Sequence, residues 1–251
     1  MTLAELRRWV VEHHLLTGAL LAVIALGIWA FLTLAEVVFA GQATAFDEAV
    51  LLRMRTPGDL TDPVGPKWFE EMARDMTALG GVLVLALLTT AMATYLWLAK
   101  RRWIAVYVVA AVVSGTLVST AMKSAFDRAR PELVPHESIV LTQSFPSGHT
   151  SMSSLVYLTA AAVVARAESK RAVRALVLGL AVAILVGVGL SRVYLGVHWP
   201  TDVLAGWAFG ISWAAGSWVV LRLLERRPRF GPPPATVDVP RAPQATERPP
   251  S

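Results

Sequence analysis

The 251-residue chain contains no cysteine. Disulfides and thiolate metal centres are excluded, and the redox state of its compartment stays open. Charge is also scarce. Only 16% of residues are Asp, Glu, Lys or Arg, where a soluble domain carries about a quarter. Acids are the scarcer sign, 18 against 23 bases, and there are just five histidines. Any imidazole chemistry therefore has few candidates. What remains is apolar: 55% hydrophobic residues and a mean hydropathy of +0.54.

The apolar residues fall in blocks of about 20, the length that crosses a bilayer. They run approximately Leu15–Ala40, Thr77–Ala99, Trp103–Met122, Thr150–Ala167, Val173–Leu190 and Asp202–Leu224. This predicts an all-α, polytopic membrane protein of six transmembrane helices with an extracytoplasmic interfacial loop region. The first block follows Arg7 and Arg8, and Ala43-Thr44-Ala45 resembles a signal cleavage site. A secretory signal has an apolar core of only about 7–15 residues, so an uncleaved span is expected. The polar stretch 41–75 is expected to hold two short helices on the membrane surface, around Asp47–Met54 and Trp68–Met76. From Pro228 the chain is proline-rich and too poor in apolar residues to fold. The expected division is a membrane domain over 1–227 and a disordered cytoplasmic tail over 228–251.

The net charge of +5 does not point to nucleic acid, because the cations flank the apolar blocks as topology determinants do. With six spans both termini share a side, and that side holds 15 of the 23 Lys and Arg residues. The positive-inside rule places it in the cytoplasm of a cell-membrane protein. Segments 123–149 and 191–202 then meet on the outer face.

Three stretches on that face carry chemistry. In Lys123-Ser-Ala-Phe-Asp-Arg-Ala-Arg130-Pro131, Lys123 and Arg130 are seven apart, so on a helix they would point the same way. Two cations at a membrane boundary are costly unless an anion lies between them; the bland alternative is snorkelling to headgroups. In Phe145-Pro146-Ser147-Gly148-His149-Thr150, Gly148 permits close backbone approach and Ser147 adds a donor at a helix start, an anion site. His149 there is a candidate proton donor; the alternative is an N-cap turn with an incidental histidine. In Ser191-Arg192 through His198 to Asp202, Arg192 offers a bidentate fork. His198 is a potential nucleophile, and Asp202, four residues on, lies within reach if a helix begins at Pro200. The alternative is an interfacial histidine beside a capping aspartate.

In this order K-x6-R-P, P-S-G-H and S-R-x5-H-x3-D resemble the signature of the type 2 phosphatidic acid phosphatase (PAP2) superfamily, without a substitution. The motifs span Lys123 to Asp202, and the apolar blocks suit the family's integral membrane branch rather than its soluble acid phosphatases or haloperoxidases. The resemblance implies His198 as nucleophile forming a phosphohistidine, Asp202 as its support and His149 as general acid. Lys123, Arg130, Ser147, Gly148 and Arg192 match the phosphate-binding positions. No metal or other cofactor is expected, because fixed cations take the place of an ion.

A lipid substrate is expected from the site's membrane setting. The reading leans toward polyprenyl pyrophosphate or broad specificity, with a phosphatidate-type lipid and a phosphatidylglycerol phosphate-specific enzyme as competitors. Arg128 and His136 are the side chains that could serve a second phosphate, although both, like Glu137, read first as loop surface. A lipid-to-lipid phosphotransferase would share every residue named. A transporter would spread ionisable groups through its spans, and here they cluster at one face. His13 and His14 read as interfacial bystanders, Gly187 and Gly189 as packing positions, and the tryptophans mostly as belt residues.

Overall fold

The computed structural model describes residues 3–132 and 143–225, with side chains from Leu15 onward. The order is α1 (Leu3–Phe39), α2 (Thr44–Arg53), β1 (Arg55–Thr56), β2 (Asp59–Pro63), α3 (Lys67–Ala78), α4 (Val82–Leu98), α5 (Arg102–Phe126), α6 (Gly148–Ala167), α7 (Arg171–Tyr194) and α8 (Pro200–Glu225). α1 begins well before its apolar block. α2 and α3 fall where the two short helices were expected. The all-helical expectation misses one element: β1 and β2 form an antiparallel hairpin, closed by Thr56 Oγ1 donating to Asp62 at 2.9 Å.

α5, α7, α8 and the part of α1 from Leu15 are long and apolar enough to cross a membrane. α5 has 25 residues, a rise of about 37 Å at about 1.5 Å per residue, against a hydrocarbon core of about 30 Å. The chain is an integral membrane protein. The second apolar block is not one straight helix. It breaks at Leu79–Gly81, where α3 and α4 meet at a 46° bend, and only the pair together is span-sized. Gly80 explains the site of the break: a Cβ there would lie 2.6 Å from the Val188 side chain and 3.3 Å from His149. The bend lets this segment close onto α6 and α7.

The fourth block, now α6, is not apolar enough to count as a span alone. It lies against α7 and α8, with α5 alongside. Thr150, Ser151, Ser153 and Ser154 are all buried on it. Their hydroxyls are satisfied locally, Ser151 Oγ donating to the Ser147 carbonyl at 2.8 Å and Ser154 Oγ to that of Thr150 at 2.7 Å. α8 approaches this polar surface through Gly206 and Gly210, where a Cβ would fall 2.9 Å from Thr150 and 2.6 Å from Ser154. Small residues permit such close helix contacts in membranes. The same holds for the expected packing glycines, with Gly187 against Met76 and Gly189 against Trp207.

Not all tryptophans are belt residues. Trp207 donates to the Leu185 carbonyl at 2.9 Å and Trp213 to that of Ala111 at 3.1 Å, tying α8 to α7 and α5. Helix directions gather the C-termini of α1, α5 and α7 and the N-termini of α6 and α8 at one end of the bundle. Leu3 and Glu225 lie at the other. The tail from 228 onward lies outside the described residues.

Candidate functional site

Lys123 occupies the last turn of α5. The helix stops at Asp127, whose φ of 40° is left-handed, a conformation that aspartate tolerates. The chain then doubles back, so Arg130 lies beyond the helix. It meets the site through this reversal and not through the seven-residue helical repeat expected above. Beside it runs the second motif: Ser144 N donates to the Arg128 carbonyl at 2.9 Å, and Lys123 Nζ to the Gln143 carbonyl at 2.9 Å.

Phe145 anchors this segment. It is fully buried, with its ring 5.7 Å from Phe31 and 5.2 Å from Phe126; each such pair contributes about 0.5–1.5 kcal/mol beyond area burial. Phe145-Pro146 is a cis peptide. Ser147 N donates to the Asp202 carbonyl at 3.0 Å, locking the start of α6 to the start of α8. Ser147 Oγ accepts from Thr150 at 3.0 Å, which leaves its own proton to donate. At Gly148 the Lys123 stem crosses close over the backbone, 3.2 Å from where a Cβ would be. His149 follows in the first turn.

Arg192 ends α7 and is 6% exposed. One guanidinium nitrogen donates to Thr77 Oγ1 at 3.1 Å, while its Nε is buried without a partner. Its carbonyl accepts from the amides of Val197 and His198, folding the turn that carries the second histidine. α8 begins at Pro200, as expected, and puts Asp202 in its first turn.

His198 is 1% exposed and Asp202 is fully buried. His198 Nδ1 lies 3.4 Å from Asp202 Oδ2 and 3.3 Å from Ser144 Oγ. Ser144 Oγ also makes a short hydrogen bond to Asp202 Oδ2, and Trp199 N donates to that oxygen at 3.0 Å. On the other side of the ring, Arg130 is 3.2 Å from Nε2 and donates to the Val197 carbonyl at 2.6 Å. A guanidinium only donates, so Nε2 carries the lone pair and Nδ1 the proton. The nucleophilic atom therefore faces the cations and the proton faces the carboxylate. Burial, then the charges of Arg192, Arg130 and Lys123 and the His149 ring, hold the His198 imidazole well below its usual proton affinity. It is neutral at pH 7, the form that can attack.

The structure thus brings together all eight residues picked out from the motifs. It also adds two that went unread, Ser144 and Asp47, and gives Arg128 a different place from the one expected. Ser144, one position before the second motif, spans the histidine–aspartate couple. Asp47, in the polar stretch after the first span, is fully buried. It accepts from Thr201 N at 3.0 Å, Thr201 Oγ1 at 2.6 Å and Arg128 at 2.7 Å. Arg128 is not loop surface. Its other terminal nitrogen donates to Asp202 Oδ1 at 2.6 Å, and its guanidinium lies 5.6 Å from the Trp199 ring centroid. His136 and Glu137 lie outside the described residues.

Fold and site together define a helical membrane protein equipped to handle a phosphoryl group. A family model, the PAP2 superfamily, matches residues 103–226. Phosphatidylglycerophosphatase B of Bacillus subtilis (strain 168) is 30% identical over 187 residues, covering 72% of this chain and 86% of that protein. An undecaprenyl-diphosphatase of Sulfolobus acidocaldarius is 44% identical over 70 residues, 28% of this chain and 29% of that protein. The crystal structure of a transmembrane PAP2 type phosphatidylglycerolphosphate phosphatase from Bacillus subtilis aligns with a TM-score of 0.70 and 26% identity, over 82% of this chain and 98% of that one. The chain belongs to the PAP2 superfamily, in its branch of integral membrane lipid phosphatases.

Proposed function

We propose that this lipid phosphatase works through a phosphohistidine on His198. The observation that carries the mechanism is the orientation of that ring, with Nε2 among the cations and Nδ1–H toward Asp202. A phosphoryl group held by Lys123, Arg130, Arg192, Ser147 and the Gly148 amide presents phosphorus to Nε2. Attack breaks the P–O bond to the lipid, and His149 gives the departing oxygen its proton. Asp202 balances the positive charge that the attacking imidazole gains. Water then opens the P–N bond, losing a proton to His149, and phosphate leaves. Charge spread over the phosphoryl oxygens is met throughout by fixed cations. Among the described residues no three His, Asp or Glu side chains converge as a metal-binding set, and turnover is proposed to be metal-independent.

For the substrate, the proposal is a glycerolipid phosphomonoester of the phosphatidylglycerol phosphate or phosphatidate kind. Arg128, expected as a donor for a second phosphate, is held by Asp47 and Asp202. Likeness to a phosphatidylglycerophosphatase over most of both chains supports the same choice. Polyprenyl pyrophosphate is the second reading, favoured by the similarity to an undecaprenyl-diphosphatase. The test is phosphate release by purified protein from phosphatidylglycerol phosphate, phosphatidate and undecaprenyl pyrophosphate, each with excess EDTA. The expected order is monoesters ahead of pyrophosphate, with full activity in chelator. Faster release from the pyrophosphate would reverse the substrate reading, and loss in EDTA restored by Mg²⁺ would overturn the metal-free mechanism.

The proposed topology has six spans, counting bent α3–α4 as one and buried α6 as another. Both termini are then cytoplasmic, the site faces outward from the cell membrane, and residues 1–227 form the membrane domain ahead of a cytoplasmic tail.

A further inference from the structure

The carboxylate supporting His198 is itself held by Arg128, and Arg128 is shared with a carboxylate that lies outside every motif. Arg128 bridges two fully buried carboxylates, Asp202 at 2.6 Å and Asp47 at 2.7 Å. Asp47 sits on α2, far away in sequence, and it also clamps Thr201, the residue just before Asp202, through both the Thr201 amide and hydroxyl. We propose that Asp47 is a positioning residue for the reaction, which through Arg128 and Thr201 fixes Asp202 against His198 and sets how much negative charge the imidazole experiences.

The physical argument is one of charge balance in a dry site. A buried ion pair loses its compensation when one partner is removed. With Arg128 shared between two acids, Asp202 keeps part of its field for the imidazole. Without Asp47, the whole guanidinium charge falls on Asp202. The other charged or titratable groups bearing on His198 are Lys123 from α5, Arg130 beyond it, His149 from α6 and Arg192 from α7. All are unchanged in Asp47 or Arg128 variants, so the sign of each effect follows. Removing the Asp47 charge makes the surroundings of His198 more positive and favours its neutral form at lower pH. Removing the Arg128 charge makes them more negative and favours the protonated form at higher pH.

The inference rests on the phosphohistidine reading, and the experiment separates the two. kcat/KM is measured against pH with phosphatidate in detergent for the wild type, D47N, D47E and R128Q. Substrate ionisation is common to all four, so differences between them belong to the enzyme. Activity falls on the acid side as His198 takes up a proton. That limb is expected to move down by about half a unit or more in D47N and up by a similar amount in R128Q. kcat is expected to fall about tenfold in D47N, the size of one hydrogen bond to a charged group. D47E, which keeps the charge, is expected to hold the wild-type limb even where its longer side chain lowers kcat. Limbs that stay put, or move the same way in D47N and R128Q, would overturn the inference. If D47N does not insert, an unmoved limb in R128Q overturns it alone. Acid-labile phosphate on histidine, trapped by quenching during turnover, reports on the underlying reading: its absence from wild type would sink that reading whatever the limbs do.

Discussion

The two ends of the helix bundle treat the same kinds of side chain in opposite ways. At the end where α6 and α8 begin, Asp47, Asp202, Arg128 and Arg192 are buried or nearly so, each bonded to specific partners. At the other end, Lys100, Arg101, Arg102 and Arg166 rim a cavity of about 1260 Å³ with mostly apolar walls, including Ile24, Phe31 and Trp213. An ion pair among the described residues there, Arg166 with Glu225 at 2.6 Å, is partly exposed, and exposed pairs contribute only about 0–1 kcal/mol. Buried charges are retained against a desolvation cost of several kcal/mol per ion, so their cluster marks chemistry. Charges on a rim cost little and mark orientation in the membrane.

Substitution should separate the ends sharply. His198→Ala is expected to lower kcat by about four orders of magnitude or more and to abolish the phosphoenzyme, while the protein still inserts and purifies; near wild-type turnover would remove His198 from the mechanism. His149→Ala should lower kcat about 10²–10⁴-fold. Its effect should be largest on lipids with poor leaving groups and shrink on an activated aryl phosphate, and equal losses on both would contradict an acid role. For Ser144→Ala the expectation is about tenfold in kcat with KM little changed, checked by steady-state kinetics in mixed micelles. The smallest effect is at the far end. Arg166→Gln should change kcat less than about twofold and thermal stability by under about 1 kcal/mol, and a large loss of activity there would erase the contrast between the ends.

Much of this contrast was legible in the sequence because the chemistry falls in short local strings. His198 and Asp202 share a turn, so their pairing needs only a helix start at Pro200. Spans could be read wherever one helix face meets lipid, as in α5 and α7. The reading failed where tertiary contacts decide. Asp47 and Thr201 are separated by 154 residues, and an aspartate in a polar stretch gives no sign of being buried. Arg128 was read as loop surface or as a donor to a second phosphate, and nothing local to the first motif pointed to its two buried carboxylate partners. The break between α3 and α4 also escaped, since Leu79-Gly80-Gly81 reads as apolar. Gly80 is there for its closeness to His149 and Val188, which a linear string cannot show.

The hydroxyl stripe on α6 bears on how the protein is made. α6 is less apolar than the other long helices and carries Thr150, Ser151 and Ser154 along one side, so it is a weak span by itself even with its hydroxyls bonded to carbonyls of the preceding turn. That side is covered by α8, which leaves the ribosome after α1 to α7. A nascent chain halted before Pro200 therefore lacks both the cover for this stripe and Asp202, and the phosphatase becomes competent only once synthesis has delivered α8.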